Sequence, residues 1–572
     1  MRIAATLFVA ILASWAVPQC CRGKEPQILI EVHLNRSADV AAWEITLSAS
    51  GLTGELSSFS LELQNWGDWS IADSLFLRNL QSNVDLKRAN NETLKFYPVA
   101  SSESWDGTLK VRYKILMMDG NSKARETFGL MPWNKQSYGL GYTSNTLFEV
   151  YQNGTPVMGQ RNLRFTASSA DEIVLGWGPI GRNTVEFQSE SPLKNTLVAF
   201  GKPTEVLRSN TPIEIELIQF GGNAGLGKRL KPKLDKLYSS LTDTFGFPGA
   251  PPKIILTDTL GGGTNVGRVM SVGYDPAGQD EESILLTAAH ELFHEWLGAD
   301  YLQVVQPESV WFMEGFTEYF SAWYLAHAGL ISEQRFVDRI AEWQKRLEDN
   351  PLIGQVAFGD SNVNWRDGDG AYEQLAYNGG ALVAFVSDVA CRESGHNGLS
   401  KLILDLARKQ EPVDNSTLEN WFRQNGLTEH YDDLLADTYR IDLTHALQSI
   451  GCKTELASTP VAYAGFSTKD QEHFGTIDQV DPDGPAAKAG VMFGDLIRGY
   501  WPHKPRELTI NKAKRPKFDY GLTSFPLNES IHLEVNRDGK DLEFSFKAKS
   551  LNDVGLVQKW IINAGENHPF FK

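Results

Sequence analysis

The sequence predicts a multidomain α+β protein: an N-terminal β-sandwich, a mainly helical middle domain and a smaller β-rich unit towards the C-terminus. Three observations carry this. At 572 residues the chain exceeds what one hydrophobic core supports, so it divides into several domains. From about Gln27 to Leu217 short alternating apolar runs are separated by Gly, Asn, Asp and Ser turns, the pattern of antiparallel strands. From Leu226 to about Leu447 apolar residues recur at helical spacing instead.

Taken in order, the chain begins with Arg2 and an apolar run from Ile3 to Val17, too short to span a bilayer and placed where a secretory signal sits. A signal is expected over residues 1–23, with cleavage after Ala16 or Gly23; lipid attachment at Cys20 is the weaker alternative, because Val17-Pro18-Gln19 precedes it poorly. The β domain is expected over 24–217, with runs such as Ile28-Leu29-Ile30-Glu31-Val32-His33-Leu34 and Leu109-Lys110-Val111-Arg112-Tyr113-Lys114-Ile115. The middle domain, 218–455, opens on Leu230, Leu234, Leu237, Leu241 and Phe245 at helical intervals. A strand, Lys253–Thr257, follows, and then the glycine-rich Gly261-Gly262-Gly263-Thr264-Asn265. That loop lacks the Lys-Ser/Thr ending of a phosphate loop and reads either as a flexible turn or as the wall of a groove. A β-rich unit over 456–550 and a tail over 551–572 complete the chain.

Composition narrows the function. Apolar content of 42% with 11% aromatics marks a folded chain, and a net charge of −17 argues against a nucleic-acid partner. After residue 23 no stretch is long and apolar enough to span a membrane. Cys391 and Cys452 are either one disulfide or two buried thiols.

The chemistry concentrates at His290-Glu291-Leu292-Phe293-His294 and Glu314-Gly315-Phe316-Thr317-Glu318. Histidines four apart on a helix share a face and reach one zinc ion, while Glu291 between them stays off the metal and acts on water as a general base. By themselves these five residues also fit two satisfied core histidines. The second cluster favours a site. Glu314 would be the third protein ligand, leaving one position open as catalytic zinc requires. Glu318, one turn on, would hydrogen-bond the back of a ligand imidazole or else be a solvated charge. Tyr372 and Tyr377 are candidate donors to a developing oxyanion.

The strings His290-Glu291-Leu292-Phe293-His294-Glu295-Trp296, Glu314-Gly315-Phe316-Thr317-Glu318-Tyr319 and Tyr377-Asn378-Gly379-Gly380-Ala381-Leu382-Val383-Ala384-Phe385 resemble the glycyl aminopeptidase family, which belongs to the gluzincins with aminopeptidase N and leukotriene hydrolase. The resemblance implies a thermolysin-like catalytic domain over 218–455 and one zinc per chain on His290, His294 and Glu314. It also implies Glu291 as general base and Tyr377 as transition-state donor. Nineteen residues separate His294 from Glu314, one more than aminopeptidase N relatives usually show. The Gly-x-Met-Glu-Asn motif, whose Glu holds a substrate's free amine in the aminopeptidases, has no equivalent; Gly261-Gly262-Gly263 stand in its region as candidate substrate-binding residues.

In the last unit, Gly484-Pro485-Ala486-Ala487-Lys488-Ala489-Gly490 followed by Gly494-Asp495 resembles the core of a PDZ domain, which implies strand addition by peptides and capture of a peptide C-terminus. The expected function is an exported zinc metallopeptidase acting on peptides or unfolded proteins, with aminopeptidase action as the narrower form. The alternative is an inactive peptide-binding scaffold.

Overall fold

The computed structural model describes residues 25–571 apart from 64–76, 120–132, 351–369, 432–440, 469–476, 502–529, 563–568 and some shorter stretches. The expected signal at 1–23 and Gly261 lie outside the described residues.

The N-terminal region is β-rich, as its alternation requires. In Gln27–Asn35 every second side chain, Ile28, Ile30, Val32 and Leu34, is buried, and the residues between point outward. This strand pairs antiparallel with Ala42–Ser50 and parallel with Gln160–Thr166 inside a six-stranded sheet. A second six-stranded sheet and a five-stranded one close over the same core. The expectation of a purely antiparallel sandwich is therefore corrected. Three sheets contribute, and the first strand takes a parallel partner from far along the chain, a pairing that local alternation does not specify.

The helical region is built on another five-stranded sheet, in the order Glu205–Leu207, Glu216–Phe220, Lys253–Thr257, Val269–Gly273, Gly263–Val266. Its two faces serve two cores. Leu217, Ile254, Leu256, Met270 and Val272 meet the helices, whereas Ile218, Phe220, Ile255 and Val269 pack on the N-terminal β core. Successive residues of one strand thus hold the two regions together. On the helical side, Leu226–Phe245 buries Leu230, Leu234, Leu237, Leu241 and Phe245, matching the spacing read from sequence.

Towards the C-terminus the chain leaves the helical core at Cys452–Ser458 and returns at Leu556–Ile562, the two strands pairing antiparallel along their whole length. Between them lies a small separate core of Phe466, Ile477, Val491, Ile497, Leu533, Val535 and others. It includes a hairpin of Ser530–Arg537 and Lys540–Lys547 and a helix, Pro485–Ala489. Cys391 and Cys452 are both buried free thiols.

After its return the chain docks on the helices. Phe570 and Phe571 are buried in the helical core, with the Phe571 ring 5.5 Å from that of Phe336. The Arg392 guanidinium lies 4.9 Å from the Phe570 ring centre, and His327 Nδ1 donates to the Phe571 carbonyl at 2.8 Å. Phe571→Ala is expected to destabilise the helical domain by about 3 kcal/mol through the cavity left behind. A lower urea midpoint for the helical signal, with the β-rich region unaffected, would be the readout.

Candidate metal centre

The histidine-bearing helix, Glu281–Phe293, starts where Asp280 caps it: Asp280 Oδ1 accepts from the Ser283 N–H at 2.7 Å, and Glu281 and Glu282 in the first turn complement the helix dipole. Ile284, Leu285, Ala288, Ala289, Leu292 and Phe293 bury its apolar face. The apolar density of the sequence runs from Ile284 to Leu297, but the helix begins earlier, at Glu281, and ends at Phe293. His294 keeps right-handed helical backbone at the cap, so its imidazole still lies beside that of His290. The chain then turns at Gly298, whose φ of 102° is left-handed.

Glu314 arrives on the helix Val310–His327, which is buried nearly all round. It crosses a third helix, Gly380–Glu393, at two glycines. A Cβ on Gly315 would overlap the Gly380 backbone, and one on Gly380 would overlap the Trp311 carbonyl. Just before the crossing, Leu375–Gly379 forms a π-helical turn, a distortion that often marks functional sites. This turn carries Tyr377, whose ring stacks on His290 with centroids 5.8 Å apart and planes 15° apart. Tyr372, the other tyrosine singled out in this stretch, sits earlier, on the short helix Gly370–Gln374.

Three ligand atoms converge. His290 Nε2 and His294 Nε2 are 3.2 Å apart, and Glu314 Oε2 lies 3.3 Å from the first and 3.5 Å from the second. Ligand atoms held about 2.0–2.2 Å from a zinc ion at tetrahedral angles lie about 3.3–3.5 Å from one another. The set therefore fits a zinc ion. Burial disfavours a charged His294, yet Glu314 beside it raises the imidazole to about 9. Burial likewise pushes the Glu314 carboxyl up, but the two imidazoles outweigh it and hold the group well below the usual carboxylate range. His294 Nδ1–H donates to the Leu297 carbonyl at 2.9 Å, which leaves Nε2 as its ligand atom.

Glu291 projects from the same helix, and burial is the largest influence on it, raising its carboxyl to about 7 against the lowering effect of His290 and His294. Gly263 lies directly against it: a Cβ there would overlap the Glu291 side chain. The edge strand Gly263–Val266 is pinned to the helix by Asn265, whose Nδ2 donates to the Glu291 carbonyl at 2.8 Å and to Glu295 Oε1 at 3.0 Å. Gly262 is exposed, with a φ of 84° and open space around it. Glu318 Oε1 stands 3.8 Å from His290 Nδ1 and is held from behind by Arg339. Sequence reasoning missed Asn265 and Arg339. Asn265 closes the glycine-rich string and was readable as a turn residue; Arg339 carries no local signal.

Residues 283–383 match the model of the M61 glycyl aminopeptidase family. No curated protein matches the chain. Among solved structures, the chain is similar to an aminopeptidase N family protein from Idiomarina loihiensis, with 17% identity and a TM-score of 0.66 over 91% of this chain and 96% of that one. It also matches a mutant M1 zinc metallopeptidase from Deinococcus radiodurans, with 14% identity and a TM-score of 0.48 over 73% of this chain and 96% of that one. For yeast LTA4 hydrolase the identity is 12% and the TM-score 0.48, over 74% and 69%. At these identities the first of the three speaks for the fold alone.

Two outcomes are expected. Metal uptake at pH 7 displaces the proton that His294 holds up to about 9, so affinity weakens as pH falls below that value. Calorimetry in buffers of different ionisation enthalpy should show release of about one proton per metal ion. Gly315→Ala forces the two helices apart and should cost about 1–3 kcal/mol together with a measurable loss of zinc affinity.

Proposed function

We propose that this chain is a zinc metallopeptidase that hydrolyses peptide bonds. The observation carrying the reading is the trio of ligand atoms 3.2–3.5 Å apart with a buried carboxylate, Glu291, beside them on the same helix. The match of residues 283–383 to a peptidase family supports it.

His290, His294 and Glu314 would hold the metal. A zinc ion bound there would supply Lewis acidity, lowering the pKa of water towards neutrality and polarising the scissile carbonyl. Glu291 takes the proton from the attacking water and hands it to the leaving amine. Its burial suits the task, because a carboxyl raised to about 7 is a stronger base than an ordinary one. Burial and the neighbouring Glu314 raise the Tyr377 hydroxyl well above its ordinary value, so it keeps its proton and can donate to the oxygen that gains negative charge.

The substrate is a peptide or unfolded protein lying against the Gly262–Gly263 edge. Aminopeptidase action is the narrower form of the proposal. The string Gly261-Gly262-Gly263-Thr264-Asn265 stands in the region of the aminopeptidase motif without its amine-binding Glu. Export through residues 1–23 and peptide binding by a PDZ-like unit over 456–550 complete the proposal. In that unit the Ala464 carbonyl accepts from the Ala486 N–H at 3.0 Å, joining the stretch Tyr463-Ala464-Gly465-Phe466, which we take as the loop that would receive a peptide carboxylate, to the helix Pro485–Ala489.

The test compares wild type with Glu291→Gln and Tyr377→Phe on a mixed peptide pool, reading bound zinc and product termini. Glu291→Gln should retain zinc and lose about 10²–10⁴-fold in kcat. Tyr377→Phe should lose about 10²–10³-fold in kcat with KM little changed. Zinc without cleavage in the wild type would overturn the peptidase reading in favour of peptide binding, and absence of zinc would overturn the metal centre.

A further inference from the structure

We infer that Arg339 is a positioning residue for the metal centre: it holds Glu318 against the back of His290 and so fixes the tautomer and orientation of that imidazole. The inference rests on the metallopeptidase reading above.

The two histidines are secured differently. His294 donates from Nδ1 to a backbone carbonyl within its own turn. His290 has no such carbonyl. Its Nδ1 is buried without a hydrogen-bond partner among the described residues, and the acceptor facing it is Glu318 Oε1 at 3.8 Å. Glu318 lies one turn beyond Glu314 on the same helical face, so one helix presents a carboxylate to each side of the His290 ring. A short movement of either side chain closes the 3.8 Å gap. The ionised carboxylate can only accept, so Nδ1 must carry the proton and Nε2 is left as the lone pair facing His294 and Glu314.

Glu318 is partly buried, with its side chain 21% exposed, and Arg339 is the group that holds it from behind. Its Nη2 lies 3.3 Å from Glu318 Oε2, while its Nη1 meets Glu342 Oε2 at 2.8 Å and its guanidinium lies 5.6 Å from the Trp343 ring centre. Arg339 is in turn fixed by a ladder of alternating charge. Glu342 Oε1 bonds Arg335 Nη1 at 2.6 Å, and Arg335 Nε bonds Glu282 Oε1 at 2.5 Å. Glu282 stands two turns before His290 on the histidine helix, so the ladder starts and ends on that helix. The helix Glu333–Glu348 supplies both arginines and acts as its brace.

The test measures zinc affinity by competition with a chromogenic chelator, together with the visible absorption of the cobalt-substituted protein and far-UV circular dichroism. Arg339→Met should weaken zinc binding by about 10–100-fold and alter the cobalt spectrum while helicity is kept. Arg339→Lys keeps the charge but gives up the two-pronged contact, so it should recover part of the affinity. Arg335→Met removes the next rung without touching Glu318 and should weaken zinc binding less than Arg339→Met does, which separates positioning from general stabilisation. In a Glu318→Gln background, Arg339→Met should weaken binding no further. Wild-type affinity in Arg339→Met, or an equal loss in both backgrounds, would overturn the inference. Should Arg339→Met fail to fold, Arg339→Lys decides, and wild-type affinity there overturns it. A wild-type protein that takes up no zinc defeats the metal reading itself, a result distinct from any of these.

Discussion

The arrangement depends on a contact between two glycines. Gly315 and Gly380 let the glutamate-bearing helix and the helix Gly380–Glu393 approach backbone to backbone, closer than side chains on both helices would permit. Everything at the centre is measured from that crossing. Glu314 sits one residue before Gly315, and Tyr377 sits three before Gly380 on a π-helical turn. A single close approach therefore sets the carboxylate and the phenol relative to each other and aims both at the histidine helix. Since neither glycine position can admit a Cβ without displacing backbone, the spacing between Glu314 and Tyr377 is fixed by covalent geometry rather than by adaptable side chains.

The electrostatic arrangement follows from burial. Glu291 and Glu314 are buried and Glu318 is partly so, in one cluster where like charges repel and unpaired charges are costly. Each is managed differently. Glu314 is hydrogen-bonded by the imidazoles and Glu318 by Arg339, whereas for Glu291 burial outweighs the attraction of the same two imidazoles, so it alone is raised, to about 7. That division sorts three chemically identical side chains into different tasks through their surroundings. Gly263 contributes by its lack of a side chain, leaving Glu291 room beside the edge strand.

The centre was largely legible in the sequence because its residues obey helical spacing. His290 and His294 share a face, as do Glu314 and Glu318, and that rule is local enough to apply without coordinates. The helix Leu226–Phe245 and the strand Lys253–Thr257 were readable on the same grounds. What escaped depends on distant partners. Nothing near Arg339 announces that it faces Glu318, and Gly315 and Gly380 look like ordinary helix-weakening glycines until the two helices cross. The parallel pairing of Gln27–Asn35 with Gln160–Thr166 was equally hidden, since alternation defines a strand's faces but not its neighbours. The end of the histidine helix at Phe293 rather than Leu297 shows a related limit: apolar density continues through Trp296 and Leu297 because both are buried in the turn that follows.

The return of the chain to the helical core has a topological consequence. Cys452–Ser458 and Leu556–Ile562 form one ladder, and Phe570 and Phe571 are embedded beyond it, so the unit between them is an excursion closed at its base. A backbone nick anywhere in that excursion would not release a fragment. The severed C-terminal piece stays attached by strand pairing and by two buried rings, as in a complementing pair of fragments. The excursion is correspondingly free to vary in length, because lengthening a closed loop costs only about 0.6 kcal/mol per doubling. The helical core thus gains its last packed residues from the far end of the chain while remaining indifferent to what the intervening segment becomes.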